Sequence, residues 1–222
     1  MTVCIAGLCD NGTGCVLVSD QMTTAHFPIG YEFESEEVEK IAPVVDSVYV
    51  LAAGDVLFAN VVIQAARSRL EEGKKGVGHV AEAVRAAYQE TRRQHVIRTV
   101  LEPRGLDFNT YINIQQKLLL PVVQMIDQAF VQSNPGVDLI VAGKDNTGCH
   151  IYTVGNPGVS ICHDPVGFVA IGSGGPHAVY YLIESGYKKS DTKARVEELV
   201  AKAKTRSEVA PGVGKGTRTV SV

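Results

Sequence analysis

Strand-like and helix-like patterning falls into separate blocks along this chain, and that segregation constrains the fold more than any single motif. Residues 3–8 and 15–19 are short apolar runs joined by the turn signal Asp10-Asn11-Gly12, a hairpin pattern continuous enough in apolar residues to expect cover on both faces. A stretch through Pro28 and Gly30, with acidic residues at Glu32, Glu34, Glu36 and Glu37, reads as a solvated loop. Strand patterns return at 38–45 and 48–53 around the turn Asp46-Ser47. Gly54 breaks the pattern, and Asp55 is placed to cap a helix through Leu70 with Val56, Ala59, Val62, Ile63 and Ala66 on one face. Residues 71–76 read as a loop and 77 to about 99 as a second helix, with Val80, Val84 and Ala87 in register, ended by Pro103 and Gly105. A third helical stretch, about 109–132, is expected to bend at Pro121.

Strand-like runs follow at 137–142, 150–154 and 168–171, and the Gly172–Pro176 turn opens a helix to about 185. A helix over about 192–205 and a strand over 217–222 complete the pattern. Four strands, helices, three strands, helices and one strand predict an α+β layered fold, not the strict alternation of a doubly wound sheet. At 222 residues the chain is expected to form one domain, 1–222, with a core that needs no staple. Lys and Arg number 21 against 24 Asp and Glu, a balance that argues against nucleic-acid or anionic-membrane binding. No run of 18 apolar residues offers a membrane span, and the start lacks the pattern of a signal peptide. Five cysteines without a C-x-x-C pair fit reduced thiols, hence a cytoplasmic protein.

Several familiar motifs fail. The glycine-rich end Gly212-Val-Gly-Lys-Gly-Thr217 has Gly216 after its Lys, where a phosphate-binding loop needs Ser or Thr. Ile171 stands where a nucleophile elbow around Ser173 needs Gly. The histidines are scattered, His177 reads as solvated or packed, and Cys4, Cys9 and Cys15 read as buried strand thiols. No cofactor or metal is called for.

One constellation survives. Removal of Met1 would expose Thr2, which then carries a hydroxyl nucleophile and a base on one residue. A free α-amine has a reference pKa of about 7.7–8, so near neutral pH part of it accepts a proton. Asp20 ends the second strand of the hairpin, and Lys40 sits in an apolar run where an ammonium needs a carboxylate partner. Paired there, the two would lower the pKa of the Thr2 hydroxyl. Gly54, between strand and helix, is a candidate backbone donor to a developing oxyanion. Plainer readings stand beside these: Thr2 as an ordinary strand residue, Asp20 and Lys40 as a bracing ion pair, Gly54 as a turn, and Ser173 as a helix cap.

The run Val169-Ala-Ile-Gly-Ser-Gly-Gly-Pro-His-Ala178 resembles the Ala-Ile-Gly-Ser-Gly-Gly-Pro segment of HslV-like bacterial peptidases and proteasome β subunits. The hairpin ending in Ser19-Asp20, the Val-x-Lys element at Lys40 and Ala52-Ala-Gly54 before a helix fall in the same family's order. The resemblance, to proteasome-type N-terminal nucleophile (Ntn) hydrolases, covers the N-terminal half to about residue 98 and the segment from 137 to about 203. It implies a four-layer αββα sandwich and a threonine-type peptidase acting on peptides or unfolded proteins. It also implies Thr2 as nucleophile, Asp20 and Lys40 beside it, Gly54 as oxyanion donor, and Ser173 orienting the amine and a water. Such subunits form rings that enclose their sites, often served by an ATP-driven unfoldase, so a homo-oligomeric ring is expected.

Two departures stand out. The family commonly places an Asp and a Ser near the nucleophile in the loop after the last long helix, whereas residues 207–214 hold no Asp, leaving Ser207 or Glu208 as substitutes. The helical stretch at about 104–134 is longer than in the simple bacterial peptidases and reads as an added arm. Two other functions remain compatible: a catalytically inactive ring subunit, and an Ntn amidohydrolase acting on a small molecule.

Overall fold

The structure is a computed structural model that describes residues 2–26, 32–35, 38–70 and 76–222. Strands β1 (Cys4–Cys9) and β2 (Gly14–Asp20) form the expected hairpin around a tight turn at Asp10–Gly12. A short ribbon follows, β3 (Thr23–His26) against β4 (Glu32–Ser35). Next come β5 (Ile41–Val45), β6 (Val48–Gly54), helix α1 (Val56–Arg67) and helix α2 (Val77–Val96). The helical arm holds α3 (Phe108–Ile114) and α4 (Leu120–Gln132). The remainder is β7 (Val137–Asp145), β8 (Gly148–Gly155), β9 (Val159–Cys162), β10 (Phe168–Ile171), α5 (Gly175–Glu184), α6 (Lys193–Ser207) and β11 (Thr217–Ser221).

Two antiparallel sheets carry the architecture, one ordered β10-β1-β2-β11 and the other β5-β6-β7-β8-β9. Three apolar clusters show how they stack. Cys4, Ala6, Leu17, Leu51, Ile140 and Ile151 meet between the two sheets. Alternate residues of the first sheet, Val3, Ile5, Val16 and Val18, face the other way onto Leu182, Val196, Leu199 and Val200 of α5 and α6. On the second sheet Val50, Leu139, Val141 and Val154 pack on Val62, Val80, Val84 and Tyr88 of α1 and α2. The central strands of each sheet are therefore covered on both faces, which is why the first hairpin is nearly continuous in apolar residues up to Ser19-Asp20.

Local chemistry sets the helix starts. The Asp55 side chain accepts the Leu57 and Phe58 amides at 2.8 and 3.0 Å, capping α1 as the sequence predicts. Thr192 caps α6 and Asp107 caps α3. No helix among the described residues is long and apolar enough to cross a membrane.

Four expectations need correction. The solvated loop after the hairpin contains the β3–β4 ribbon, with Glu32 and Glu34 on β4; Pro28, Gly30, Glu36, Glu37 and residues 71–75 lie outside the described residues. The stretch at 109–132 is not one bent helix: a tight turn at Gln115–Lys117 divides it, and Pro121 sits in the first turn of α4, where its missing N–H costs nothing. Strand β9 escaped notice because four residues are too few to register a period. Lys40 lies just before β5 and not within a strand.

The arm has its own small core of Ile97, Leu101, Tyr111 and Ile126. Arg92 of α2 ties it down by donating to the Ser133 and Phe130 carbonyls at 2.8 and 2.5 Å, while the Arg93 guanidinium lies 4.4 Å from the Phe108 ring centre.

Candidate active site

The beginning of β1, the end of β2 and the segment before β5 converge at one point. Thr2, Asp20 and Lys40 are only 3%, 0% and 5% exposed, so three polar side chains share a site almost closed to solvent. Asp20 Oδ1 accepts from the Thr2 hydroxyl at 2.9 Å, from Lys40 Nζ at 2.8 Å and from the Val3 amide at 2.9 Å. Its Oδ2 accepts the Met22 and Gly214 amides at 3.2 and 3.1 Å. All five contacts bring donors to a group that, ionised, can only accept. Lys40 Nζ also donates to Thr2 Oγ1, so an ammonium and a carboxylate both touch the hydroxyl. A charge pair this deep persists because it is paired and hydrogen-bonded.

Ser173 reaches the same residue from the opposite end of the chain. The Thr2 nitrogen donates to Ser173 Oγ at 3.2 Å, and the Thr2 carbonyl accepts the Gly174 amide at 3.1 Å. Ser173 does not cap α5: Gly174 holds the cap position, without a side-chain bond. Gly172, at φ +88°, lets the chain pass so close that a Cβ there would stand 2.3 Å from the Thr2 carbonyl oxygen.

Gly54 lines a small cleft with Thr2, Lys40, Met22, Thr23, Ala52 and Val56. Its φ is +103°, and a Cβ would lie 1.8 Å from the Gly136 carbonyl oxygen, so this turn admits no other residue whatever its chemical role. Of the five residues singled out from the sequence, Thr2, Lys40 and Gly54 line this cleft, and Asp20 and Ser173 are hydrogen-bonded to Thr2. Met22, Thr23, Ala52 and Val56 were not among them, since apolar and hydroxyl side chains in strand patterns carry no distinguishing mark.

The loop after α6 contributes differently from expectation. Ser207 donates to the Ala203 carbonyl at 2.9 Å and Glu208 accepts from Lys204 at 2.7 Å, so neither turns toward Thr2. The loop supplies a main-chain donor instead, the Gly214 amide on Asp20. Glycines that fail as a phosphate loop are the only sequence trace of that approach.

The nearby thiols are poor nucleophiles. Burial pushes Cys4 up to about 12 and Cys9 up to about 11. Cys149 moves down, chiefly because Cys15 donates a hydrogen bond to it, yet it is buried. His177 is exposed on α5. Among the described residues no group of His, Cys, Asp and Glu is arranged to hold a metal ion.

The family model described as Proteasome subunit matches residues 94–207, just over half of the chain. The chain belongs to the proteasome subunit family. No curated protein matches it. The matched segment of this proteasome-family chain runs from the end of α2 through the arm, β7 to β10, α5 and α6. It includes Ser173, whereas Thr2, Asp20, Lys40 and Gly54 lie before it.

Proposed function

We propose that this proteasome-family chain is a threonine-type peptidase of Ntn-hydrolase build, a single four-layer αββα domain whose nucleophile is Thr2 after loss of Met1. The observation that carries this reading is the Thr2 hydroxyl held between the Lys40 ammonium and the Asp20 carboxylate. With Met1 removed, the nitrogen that now donates to Ser173 becomes a free amine on the same residue as the hydroxyl.

Thr2 Oγ1 attacks the scissile carbonyl carbon and its proton passes to the amine. Lys40 favours the alkoxide character that develops on the oxygen. The carbonyl oxygen gains negative charge opposite the Gly54 backbone N–H. Collapse breaks the C–N bond, the leaving amine takes the proton, and an ester to Thr2 remains. A water loses a proton to the Thr2 amine, attacks the ester and releases the acid with Thr2 restored. Ser173 keeps that amine oriented through both halves. Enclosure in a homo-oligomeric ring, with an unfoldase feeding it, is the assembly this function calls for.

The test combines intact mass with an electrophilic N-terminal-threonine probe. Protein from its native host should lack Met1 and gain one probe mass, and Thr2→Ala should abolish the gain while leaving the oligomer intact. Met1 retained in every molecule would support an inactive ring subunit, and a monomer or dimer that still labels would support a small-molecule amidohydrolase.

A further inference from the structure

Among the described residues two buried side-chain oxygens have no hydrogen-bond partner in the protein, Ser19 Oγ and Thr23 Oγ1. Ser19 pairs with Cys4 across the hairpin, and Cys4 points between the sheets. Thr23, at the start of β3, lines the cleft with Thr2 and Gly54. An orphaned hydroxyl under the core is a packing defect, but one on the wall of a reaction cleft is a polar group waiting for a ligand.

The other walls define what that ligand carries. Met22, Ala52 and Val56 are apolar or carry only main-chain polarity, and the Lys40 ammonium is committed to Asp20 and Thr2. Among the described residues no free charge lines it to compensate a charged group, and the room is small, about 20 Å³. We propose that the Thr23 hydroxyl reads the substrate residue whose carbonyl Thr2 attacks, selecting a short, neutral, hydrogen-bonding side chain such as Ser, Thr or Asn. The inference rests on the peptidase reading and extends it to substrate class. In the free enzyme a cleft water satisfies the hydroxyl, and a matching side chain replaces that water. An isosteric apolar side chain displaces the water without replacing its bond, and this asymmetry generates the discrimination.

The test measures how fast Thr2 is modified by two peptide vinyl sulfones that differ only in carrying Thr or Val at the residue next to the electrophile. The wild type should react with the Thr member roughly tenfold or more faster. Thr23→Val should bring the ratio close to one by slowing the Thr member, and Thr23→Ser, which keeps the hydroxyl, should preserve it. A wild-type ratio near one overturns the proposal. So does Thr23→Val with an unchanged ratio, or with both members slowed equally, the pattern of a bond to substrate main chain. Absence of any Thr2 modification overturns the peptidase reading and this inference with it, whereas efficient modification without discrimination overturns this inference alone.

Discussion

Lys40 is an expensive residue to bury, and its ammonium is held by two oxygens, one on Asp20 and one on Thr2. Lys40→Ala leaves the Asp20 carboxylate buried without its counter-charge, a change that should lower stability by about 3–5 kcal/mol and abolish Thr2 labelling together. Thermal unfolding and probe labelling on the same variant check both. The proton path gives a second prediction. With the neutral Thr2 amine as the proposed base, labelling should rise with pH through the reference range of about 7.7–8 and level off above it. A rate flat from pH 5 to 9 would remove the amine from that role. A third concerns the thiols: burial holds Cys4 and Cys9 protonated, and Cys162 alone is exposed. Iodoacetamide on the folded protein should therefore modify Cys162, found by peptide mapping, and leave Thr2 reactive. At this scale the sequence was informative where a residue was out of place, as with a lysine in apolar surroundings. It was silent on Thr23 and Met22, which look like any strand residue.

Among elements, the arm is the one with independent means of support. Ile126 belongs to its own cluster with Ile97, Leu101 and Tyr111, apart from the three clusters that bind sheets and helices. Ile126→Ala should cost about 2–5 kcal/mol locally. Hydrogen exchange should then speed up across 97–132 while β1, β2 and β7 stay protected and Thr2 still labels, since no residue of the site belongs to that cluster. Loss of protection throughout would show that arm and sheets unfold as one unit. Elements were legible wherever a cap or a turn punctuated a long pattern, as at Asp55 and Asp10-Asn11-Gly12. They were misread where two short helices shared a continuous apolar rhythm, and where the β3–β4 ribbon lay in polar sequence whose pairing depends on a partner strand, not on its own period.

Across the whole molecule, the site is a product of distance in sequence. Ser173 meets Thr2 across 171 positions and Gly214 meets Asp20 across 194. No local pattern encodes such meetings; the block order of strands and helices implied the layers, and a resemblance to a known family supplied Ser173. Light scattering should find a particle many times the 23.8 kDa protomer if the site works inside a ring. A protomer-sized species that cleaves folded proteins freely would remove the enclosure.

The span from Asp20 to Gly214 also sets a timetable. While a ribosome is still making the chain, the strand that begins beside Thr2 emerges first and the glycine that completes the carboxylate's shell emerges near the end. Until residue 214 has left the exit tunnel and folded back, the Asp20 carboxylate lacks one of its donors. The shell around the Asp20 carboxylate is therefore completed only when nearly the whole chain has been made.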